Sequence, residues 1–212
     1  MAKKKDKKAD LANAEPAKAA RLRARFESEI RPKIAEKFGL KNPMQQPTLD
    51  KITLNVNVGR HLDGTKVPAN IRETVISTLT EITGQKPVVV KAKKSVSNFK
   101  VREGYDSSVM VTIRRDRMWH FLDRLINLAT PRIKDFRGLS RKAFDRQGNY
   151  SMGLTEQGVF PEINMANVTF THGMNINLVF SNSSRELSEF VLEELGMPFV
   201  KPVEKKKKAA SA

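Results

Sequence analysis

Residues 91–102 read Lys91-Ala92-Lys93-Lys94-Ser95-Val96-Ser97-Asn98-Phe99-Lys100-Val101-Arg102, between two short apolar segments at 88–90 and 109–114. The window 86–117 around them carries nine Lys or Arg against three Asp or Glu. The flanking segments are rich in valine and predict two strands, which would hold the basic residues on the loop between them. A cationic loop with small hydroxyl side chains and one aromatic ring is suited to binding a phosphate backbone.

The net charge of the chain is unevenly distributed along its sequence. Of 212 residues, 39 are Lys or Arg and 23 are Asp or Glu, which gives a formal net charge of +16. Residues 1–25 contribute +6, residues 201–212 contribute +4 and the window 86–117 contributes +6, so the remainder is close to neutral. Charge concentrated in this way favours a specific anionic partner over a general effect on solubility.

Length and composition predict one folded domain with two extensions. We expect residues 1–25 to form a flexible basic arm, residues 26–200 a single α+β domain and residues 201–212 a basic tail. The chain has no cysteine, which excludes disulfides and is typical of a reducing cytosol. The histidines, His61, His120 and His172, lack the spacing of metal ligands, and no apolar run approaches about 20 residues, so neither a metal site nor a membrane span is expected.

Apolar residues at helical spacing predict four helices. The first stripe ends at Gly39 and contains Pro32, which should kink or restart the helix. The second ends at Gly84, the third at Pro131 and the last at Gly196, with Ser183 and Glu186 resembling a capping box before it. The stripes are Leu22, Phe26, Ile30, Ile34 and Phe38; Ile71, Val75, Leu79 and Ile82; Met118, Leu122, Leu125, Ile126 and Ala129; and Leu187, Phe190, Val191 and Leu195.

Alternating residues predict strands at 51–58, 88–90, 109–114 and 174–180, whereas residues 59–68 and 132–158 are expected to form loops. Most of these strands have one apolar face and one face of Asn, Thr or Arg. This pattern favours an α+β fold with an antiparallel or mixed sheet of about four to five strands, helices on one face and the other face open for RNA. The open face would carry Thr53, Asn55, Asn57, Thr112, Arg114, Asn175 and Asn177.

Sequence motifs of common enzymes are missing. Gly64-Thr65-Lys66 has the wrong order for a Walker loop, and Gly84-Gln85-Lys86-Pro87 has only the spacing of a helix-to-strand turn. No Ser/His/Asp set or carboxylate pair stands out, although a set assembled only in space leaves no such signal. We therefore predict a protein that is not an enzyme and has no cofactor.

Several of these signals also have an ordinary structural explanation. The basic run could be a solvated hairpin tip, and Phe99 could be buried in its own loop instead of stacking on a base. Trp119 and Phe121 are typical of core packing, and Asn55 could satisfy a neighbouring strand. The alternatives to an RNA-binding structural protein are an RNA-modifying or nucleotide-using enzyme and a non-specific polyanion binder.

Longer motifs occur in a fixed order along the chain. They include Lys51-Ile52-Thr53-Leu54-Asn55, Ile82-Thr83-Gly84-Gln85-Lys86-Pro87, Phe99-Lys100-Val101-Arg102-Glu103-Gly104-Tyr105, Arg117-Met118-Trp119, Pro131-Arg132-Ile133-Lys134-Asp135-Phe136-Arg137-Gly138-Leu139, Gly148-Asn149-Tyr150-Ser151-Met152-Gly153 and Phe160-Pro161-Glu162-Ile163. Over about residues 26–201 this series resembles the bacterial family of large-subunit ribosomal protein L-five, the 5S rRNA-binding protein of the central protuberance.

The resemblance implies a structural constituent of the large ribosomal subunit that supports translation in the cytoplasm and contacts 5S and large-subunit rRNA. It implies that the open sheet face and adjoining turns bind 5S rRNA through Asn55, Gln85, Lys86 and Thr112, with Arg114 a weaker addition. It also implies that the loop 91–104 reaches the P-site tRNA. The candidates there are Lys91, Lys93, Lys94, Ser95, Asn98, Phe99 and Lys100.

The resemblance further implies that the loop 132–153 faces the ribosomal interior and the intersubunit side. A bridge to small-subunit protein S-thirteen, which slides as the subunits rotate, is implied as well. The chain departs from the family pattern in two places. Arg146 stands where members commonly have glycine, and Asp106-Ser107-Ser108 replaces a segment that contains Pro or Gly, so the geometry of both segments is expected to differ.

Overall fold

A computed structural model describes residues 20–59, 66–168 and 170–200. Most of the predicted N-terminal arm, most of the predicted loop 59–68 and the whole predicted basic tail lie outside these residues. The first helix, α1 (Arg21–Arg25), begins five residues before the predicted domain boundary at Phe26. It is tied to the domain by the buried Leu22 and by ion pairs of Arg21 with Asp123 and of Arg23 with Asp116.

Pro32 marks a change of helical register in the N-terminal helix. A π-helical turn (Phe26–Ile30) follows α1, and α2 (Arg31–Phe38) continues from it with Pro32 in its first turn. Proline has no N–H to donate, so the turn before it is a natural place for the hydrogen-bond pattern to change. The predicted apolar stripe is confirmed, and the helix ends at Gly39 with φ of 70°.

Five strands form one sheet in which every neighbouring pair is antiparallel. Their spatial order is β2-β3-β1-β5-β4. This confirms the predicted α+β class and gives five strands among the residues that the structure describes. The strands are β1 (Thr48–Asn57), β2 (Val88–Lys91), β3 (Asp106–Ile113), β4 (Tyr150–Leu154) and β5 (Met174–Ser181).

Strand β4 corrects the prediction of an uninterrupted loop at 132–158. Its side chains alternate between buried and exposed, with Tyr150, Met152 and Leu154 in the core. It pairs along its whole length with β5, the strand that follows it in sequence. Glycines at 148, 153 and 158 obscure the alternation in sequence, because glycine is typical of loops and weakens strands.

The remaining helices pack against the sheet. They are α3 (Ala69–Thr83), α4 (Arg115–Arg124) and α5 (Arg185–Glu194), and a π-helical turn (Leu125–Ala129) and a 3-10 turn (Thr130–Arg132) extend α4. The predicted capping box at Ser183 and Glu186 is wrong by one residue. Ser184 is the N-cap of α5, since its side chain accepts the N–H of Leu187.

One core joins the helices to a single face of the sheet. Apolar side chains of β1, β3 and β5 are buried there with residues from every helix named above, and Trp119 and Phe121 are buried as expected. Short 3-10 turns occupy the connections at Ser97–Phe99, Arg141–Ala143, Gln157–Val159 and Met165–Asn167. Among the described residues, no helix is long and apolar enough to cross a membrane.

Candidate nucleic-acid interface

The sheet face opposite the core carries polar side chains in rows that cross the strands. The register pairs Asn55 of β1 with Met110 of β3 on one side and with Asn175 of β5 on the other. The next row pairs Thr53 with Thr112 and Asn177. Because side chains two residues apart share a face, both rows point away from the core. All of these residues are half-buried or exposed, as predicted for an open face.

The turn after α3 brings Gln85 and Lys86 to the same region. Gly84 ends the helix with φ of 64°, and the Thr83 hydroxyl accepts the N–H of Gln85. Val88 of β2 pairs with Met110, so continuing this register places Lys86 opposite Thr112. Both Gln85 and Lys86 are exposed. Asn55, Thr112 and Lys86 therefore fall in two adjacent rows of the open face, and Gln85 lies in the adjoining turn.

Arg114 is the fifth member of that set and lies at the end of β3. It is exposed, has an extended backbone and directly precedes α4. The next residue, Arg115, adopts a left-handed φ of 57°, which turns the chain sharply from strand to helix. Its position two residues after Thr112 keeps Arg114 beside the polar rows.

Apolar side chains also stand on the open face, and the prediction passed over them. Val88 is 64% exposed, and Met110 lies beside it on the neighbouring strand. The alternation of Met110 with Val109 and Val111 was the available signal in the sequence. Apolar patches among amides and hydroxyls offer contact to bases and sugars, which are not charged. The surface formed by Asn55, Lys86, Val88, Met110 and Thr112, with Thr53, is called the open patch below.

The basic loop is a small hydrogen-bonded hairpin, called the basic finger (residues 91–104) below. Val96 and Val101 exchange backbone hydrogen bonds of 2.9 and 3.2 Å between their N–H groups and carbonyls. Nearer the sheet, Ala92 donates to the Tyr105 carbonyl and accepts from the N–H of Gly104. A 3-10 turn forms the tip, which Lys100 closes with φ of 53°. The chain therefore holds its cations on a defined element.

No carboxylate neutralises the basic finger within the described part of the chain. None of its five cations forms an ion pair within 4.0 Å there, including those flanking Glu103. Phe99 is 72% exposed at the tip, so it is not buried in its own loop. The candidate residues Lys91, Lys93, Lys94, Ser95, Asn98, Phe99 and Lys100 are all exposed. An exposed ring among unpaired cations suits stacking on a base beside a phosphate.

The open patch and the basic finger lie at different positions along β3. The finger joins β3 at Asp106, and the patch occupies the rows of Met110 and Thr112, four and six residues along the strand. At about 3.4 Å per residue this is a separation of about 14 to 20 Å. The two surfaces can therefore bind two different RNA segments at the same time.

The segment after α4 ends in a turn built around Asp145. One Asp145 carboxylate oxygen accepts the N–H groups of Gln147 and Asn149, and the other accepts from the Asn149 amide. Desolvation alone would raise the pKa of the Asp145 carboxyl, but these hydrogen bonds outweigh it and hold the pKa below its ordinary value. Arg146 needs no left-handed backbone, because only Gly148 has positive φ in this turn. The missing family glycine is therefore accommodated.

Comparison with known proteins agrees with this architecture. The family described as ribosomal protein L5 matches residues 42–102, and the family described as the C-terminus of the same ribosomal protein matches residues 106–199. Large ribosomal subunit protein uL5 of Anaeromyxobacter sp. (strain Fw109-5) is 48% identical over 181 residues, covering 85% of this chain and 98% of that protein. The uL5 protein of Bdellovibrio bacteriovorus is 50% identical over 181 residues, covering 85% of this chain and 99% of its own length.

A third relative, uL5 of Natranaerobius thermophilus, is 46% identical over 180 residues, covering 85% of this chain and 98% of that protein. The two family matches together extend over the sheet with its open patch and over residues 91–102 of the basic finger. The chain therefore belongs to the uL5 family, and it is a structural, rRNA-binding constituent of the large ribosomal subunit and not an enzyme.

Proposed function

We propose that the open patch binds 5S rRNA and helps to attach it to the central protuberance of the large subunit. The observation that carries this proposal is the convergence of Asn55, Thr112 and Lys86 on one uncovered face, with Gln85 and Arg114 at its edge. Amides and hydroxyls hydrogen-bond to sugars and base edges, and the cations contact phosphates. Such a mixed surface reads the shape of folded RNA better than cations alone.

The basic finger has a different task in this proposal, which is to contact the P-site tRNA. Its unpaired lysines attract phosphates, while Phe99 at the tip can stack on an accessible base. The distance of about 14 to 20 Å between the base of the finger and the open patch keeps the finger free when 5S rRNA is bound. In this arrangement the sheet is the anchor and the finger is the part that reaches a moving ligand.

The segment 132–153 is assigned to the intersubunit side, where it contributes to a bridge with small-subunit protein S-thirteen. Arg132 and Arg137 are exposed there, and Gly138 packs so closely against Val200 that an added Cβ would lie 2.9 Å from its nitrogen. This packing holds the segment in place against the C-terminal end of the domain. Exposed arginines on a fixed segment suit a polar, adjustable contact between subunits.

A filter-binding titration with 5S rRNA tests the division of labour. Asn55→Ala and Thr112→Ala should each weaken binding about fivefold to tenfold, since each removes one hydrogen-bonding group. The double variant K93A/K94A is the matched control, because it removes two charges from the finger and leaves the open patch intact. It should bind 5S rRNA almost as well as the unaltered chain but should weaken P-site tRNA retention on reconstituted large subunits.

The opposite pattern would overturn the proposal: loss of 5S rRNA binding in K93A/K94A with an unaffected N55A variant. A duplex RNA of the same length serves as the competitor in every titration. Equal affinity for that duplex and for 5S rRNA would identify a non-specific polyanion binder instead. Detectable turnover of nucleoside triphosphate by the pure chain would likewise contradict a purely structural role.

A further inference from the structure

The turn between α3 and β2 (residues 84–87) carries two of the predicted 5S rRNA residues, Gln85 and Lys86. Both side chains are exposed, whereas Thr83, at the end of the helix, is buried. Within the turn, the Gln85 N–H reaches the Thr83 hydroxyl at 3.3 Å, which is a long hydrogen bond. The direction in which Gln85 and Lys86 point therefore depends on how firmly the last turn of α3 is held.

Two arginines of α4 contact the carbonyl end of α3 at this turn. Nη2 of Arg124 donates to the Ile82 carbonyl at 2.9 Å, and Nη1 of Arg117 donates to the Gly84 carbonyl at a longer 3.4 Å. The last four carbonyls of an α-helix have no partner inside the helix, and its C-terminal end carries partial negative charge. A guanidinium placed there supplies both a donor and a complementary charge. Arg124 makes the shorter of these two contacts.

Arg124 is itself held by a carboxylate from a third segment. Its Nη1 donates to Oε1 of Glu162, which lies in the connection between β4 and β5. The Arg124 and Glu162 side chains are 32% and 25% exposed, so salt screens their ion pair less than one on the open surface. The planar guanidinium joins Glu162 to the Ile82 carbonyl through two nitrogens fixed in one plane. Lysine has a single nitrogen and lacks this rigid fork.

The Arg124 bridge joins segments that are far apart in sequence. Arg124 lies 42 residues after Ile82 and 38 residues before Glu162. Ile82 and Glu162 belong to two of the motifs that carry the family resemblance, and the second of these motifs lies outside both the open patch and the basic finger. Two of the three guanidinium nitrogens are committed to partners within the chain. This arrangement suits a residue that holds the turn in place.

We propose that Arg124 is a positioning residue for 5S rRNA binding. Clamped by Glu162, it fixes the end of α3 and so holds Gln85 and Lys86 beside Thr112. A segment that is already held in its bound arrangement loses less freedom on binding, which raises affinity. This inference rests on the proposed binding of 5S rRNA by the open patch and adds a residue outside that patch on which the binding depends.

A double-mutant cycle with 5S rRNA separates positioning from a general effect on folding. Affinities are measured for the unaltered chain, R124M, the double variant Q85A/K86A and the variant with all three substitutions. R124M should weaken binding about fivefold to tenfold in the unaltered background, because the turn must then be ordered on binding. In the Q85A/K86A background the same substitution should change affinity by less than about twofold, since the residues that Arg124 positions are gone.

Arg21→Met is the matched control for R124M. It removes the 2.7 Å ion pair of Arg21 with Asp123, the neighbour of Arg124 in α4, and leaves the contacts with the α3–β2 turn intact. R21M should therefore bind 5S rRNA as tightly as the unaltered chain. A loss in R21M equal to that in R124M would show that any weakening of α4 lowers affinity, and would overturn the inference.

The results of the cycle also distinguish this inference from the proposed function. A fall of the same size in both backgrounds would assign Arg124 to general stability and overturn the inference, as would full affinity in R124M. Either result leaves the proposed function standing. A chain that shows no preference for 5S rRNA over a duplex of the same length would overturn the proposed function and this inference together.

A second measurement needs neither RNA nor a substitution at Arg124. In E162Q the Gln side-chain oxygen still accepts from Nη1, whereas E162A removes that acceptor. The Gly84 N–H donates to the Thr80 carbonyl at 2.8 Å, so its hydrogen exchange reports on the end of α3. Exchange should rise about fivefold in E162A and stay within about twofold of the unaltered rate in E162Q. Unchanged exchange of Gly84 in E162A would contradict the clamp.

Discussion

Gly148 combines a left-handed backbone with very little room for a side chain. It has φ of 81°, and an added Cβ would lie 2.7 Å from both the Ser184 carbonyl oxygen and the Ser188 hydroxyl. Gly148→Ala should therefore destabilise the chain by about 3 kcal/mol, combining backbone strain with a clash. Gly84→Ala is the control: φ is 64° but its Cβ would meet nothing within 4 Å, so the loss should be about 1 kcal/mol.

Urea denaturation of both variants measures this difference. Equal losses of unfolding free energy would show that the contact between Gly148 and Ser184 is not tight in solution.

Tyr150 gives the chain a pH dependence in the alkaline range. Burial raises the pKa of its hydroxyl from 10.0 to about 12, and the hydroxyl donates to the Ser140 carbonyl at 3.2 Å. Between these values the unfolded chain loses the proton and the folded chain keeps it, so stability is complete below pH 10 and is lost as pH rises toward 12. The contribution is roughly 2 to 3 kcal/mol.

Unfolding free energies measured at pH 8, 10 and 11.5 test this prediction against Tyr150→Phe. The Phe variant should lose about 1 kcal/mol at pH 8 with the hydrogen bond, yet show a shallower decline above pH 10. Parallel declines in the two proteins would assign the alkaline loss to other groups.

At this scale, residue chemistry predicted where Asn55 and Thr112 would point but not what surrounds them. Strand alternation alone places both side chains on the open face. The burial of His172 could not be predicted, because Gln157, whose side chain accepts its backbone N–H, lies 15 residues earlier in the sequence and is brought near it by the pairing of β4 with β5. The shift of the helix cap from Ser183 to Ser184 likewise depends on local backbone geometry.

At the scale of elements, the basic finger is a structured hairpin, and one side-chain contact closes its base. The Ser95 hydroxyl accepts the N–H of Glu103 at 2.9 Å. Ser95→Ala should raise the exchange rate of the Glu103 amide hydrogen about fivefold, while the amides of Val96 and Val101 keep their protection. Ser97→Ala, at the tip, is the matched control and should leave Glu103 unchanged. Uniformly fast exchange across the finger would show that it is not a hairpin in solution.

Elements with strong periodicity were predictable, and β4 was not. The stripe of α3 and the alternation of β1 each extend over many residues, so the pattern is clear without knowledge of the fold. β4 has five residues, one of them Gly153, and owes its stability to pairing with β5 and to the burial of Tyr150. Strand formation of this kind depends on tertiary neighbours more than on local preference.

For the whole molecule, the charge distribution predicts how binding responds to salt. Lys86 is part of the open patch and forms no ion pair with another described residue. We therefore expect it to contact one phosphate of 5S rRNA. Lys86→Ala should reduce the slope of log affinity against log salt by roughly 0.7 to 0.9. Lys33→Ala is the control, because Lys33 pairs with Glu194 at 2.5 Å and belongs to α2, outside the open patch. Equal slopes for both variants would remove Lys86 from the interface.

At the scale of the whole molecule, one face of the sheet packs on the core, and we propose that the opposite face binds 5S rRNA. Ultraviolet cross-linking of the full chain to 5S rRNA, followed by identification of the linked peptides, tests this directly. Cross-links should concentrate in β1, β3 and the turn that holds Gln85 and Lys86. Cross-links concentrated instead on the exposed surfaces of α3 and α5, with none on β1 or β3, would contradict the account.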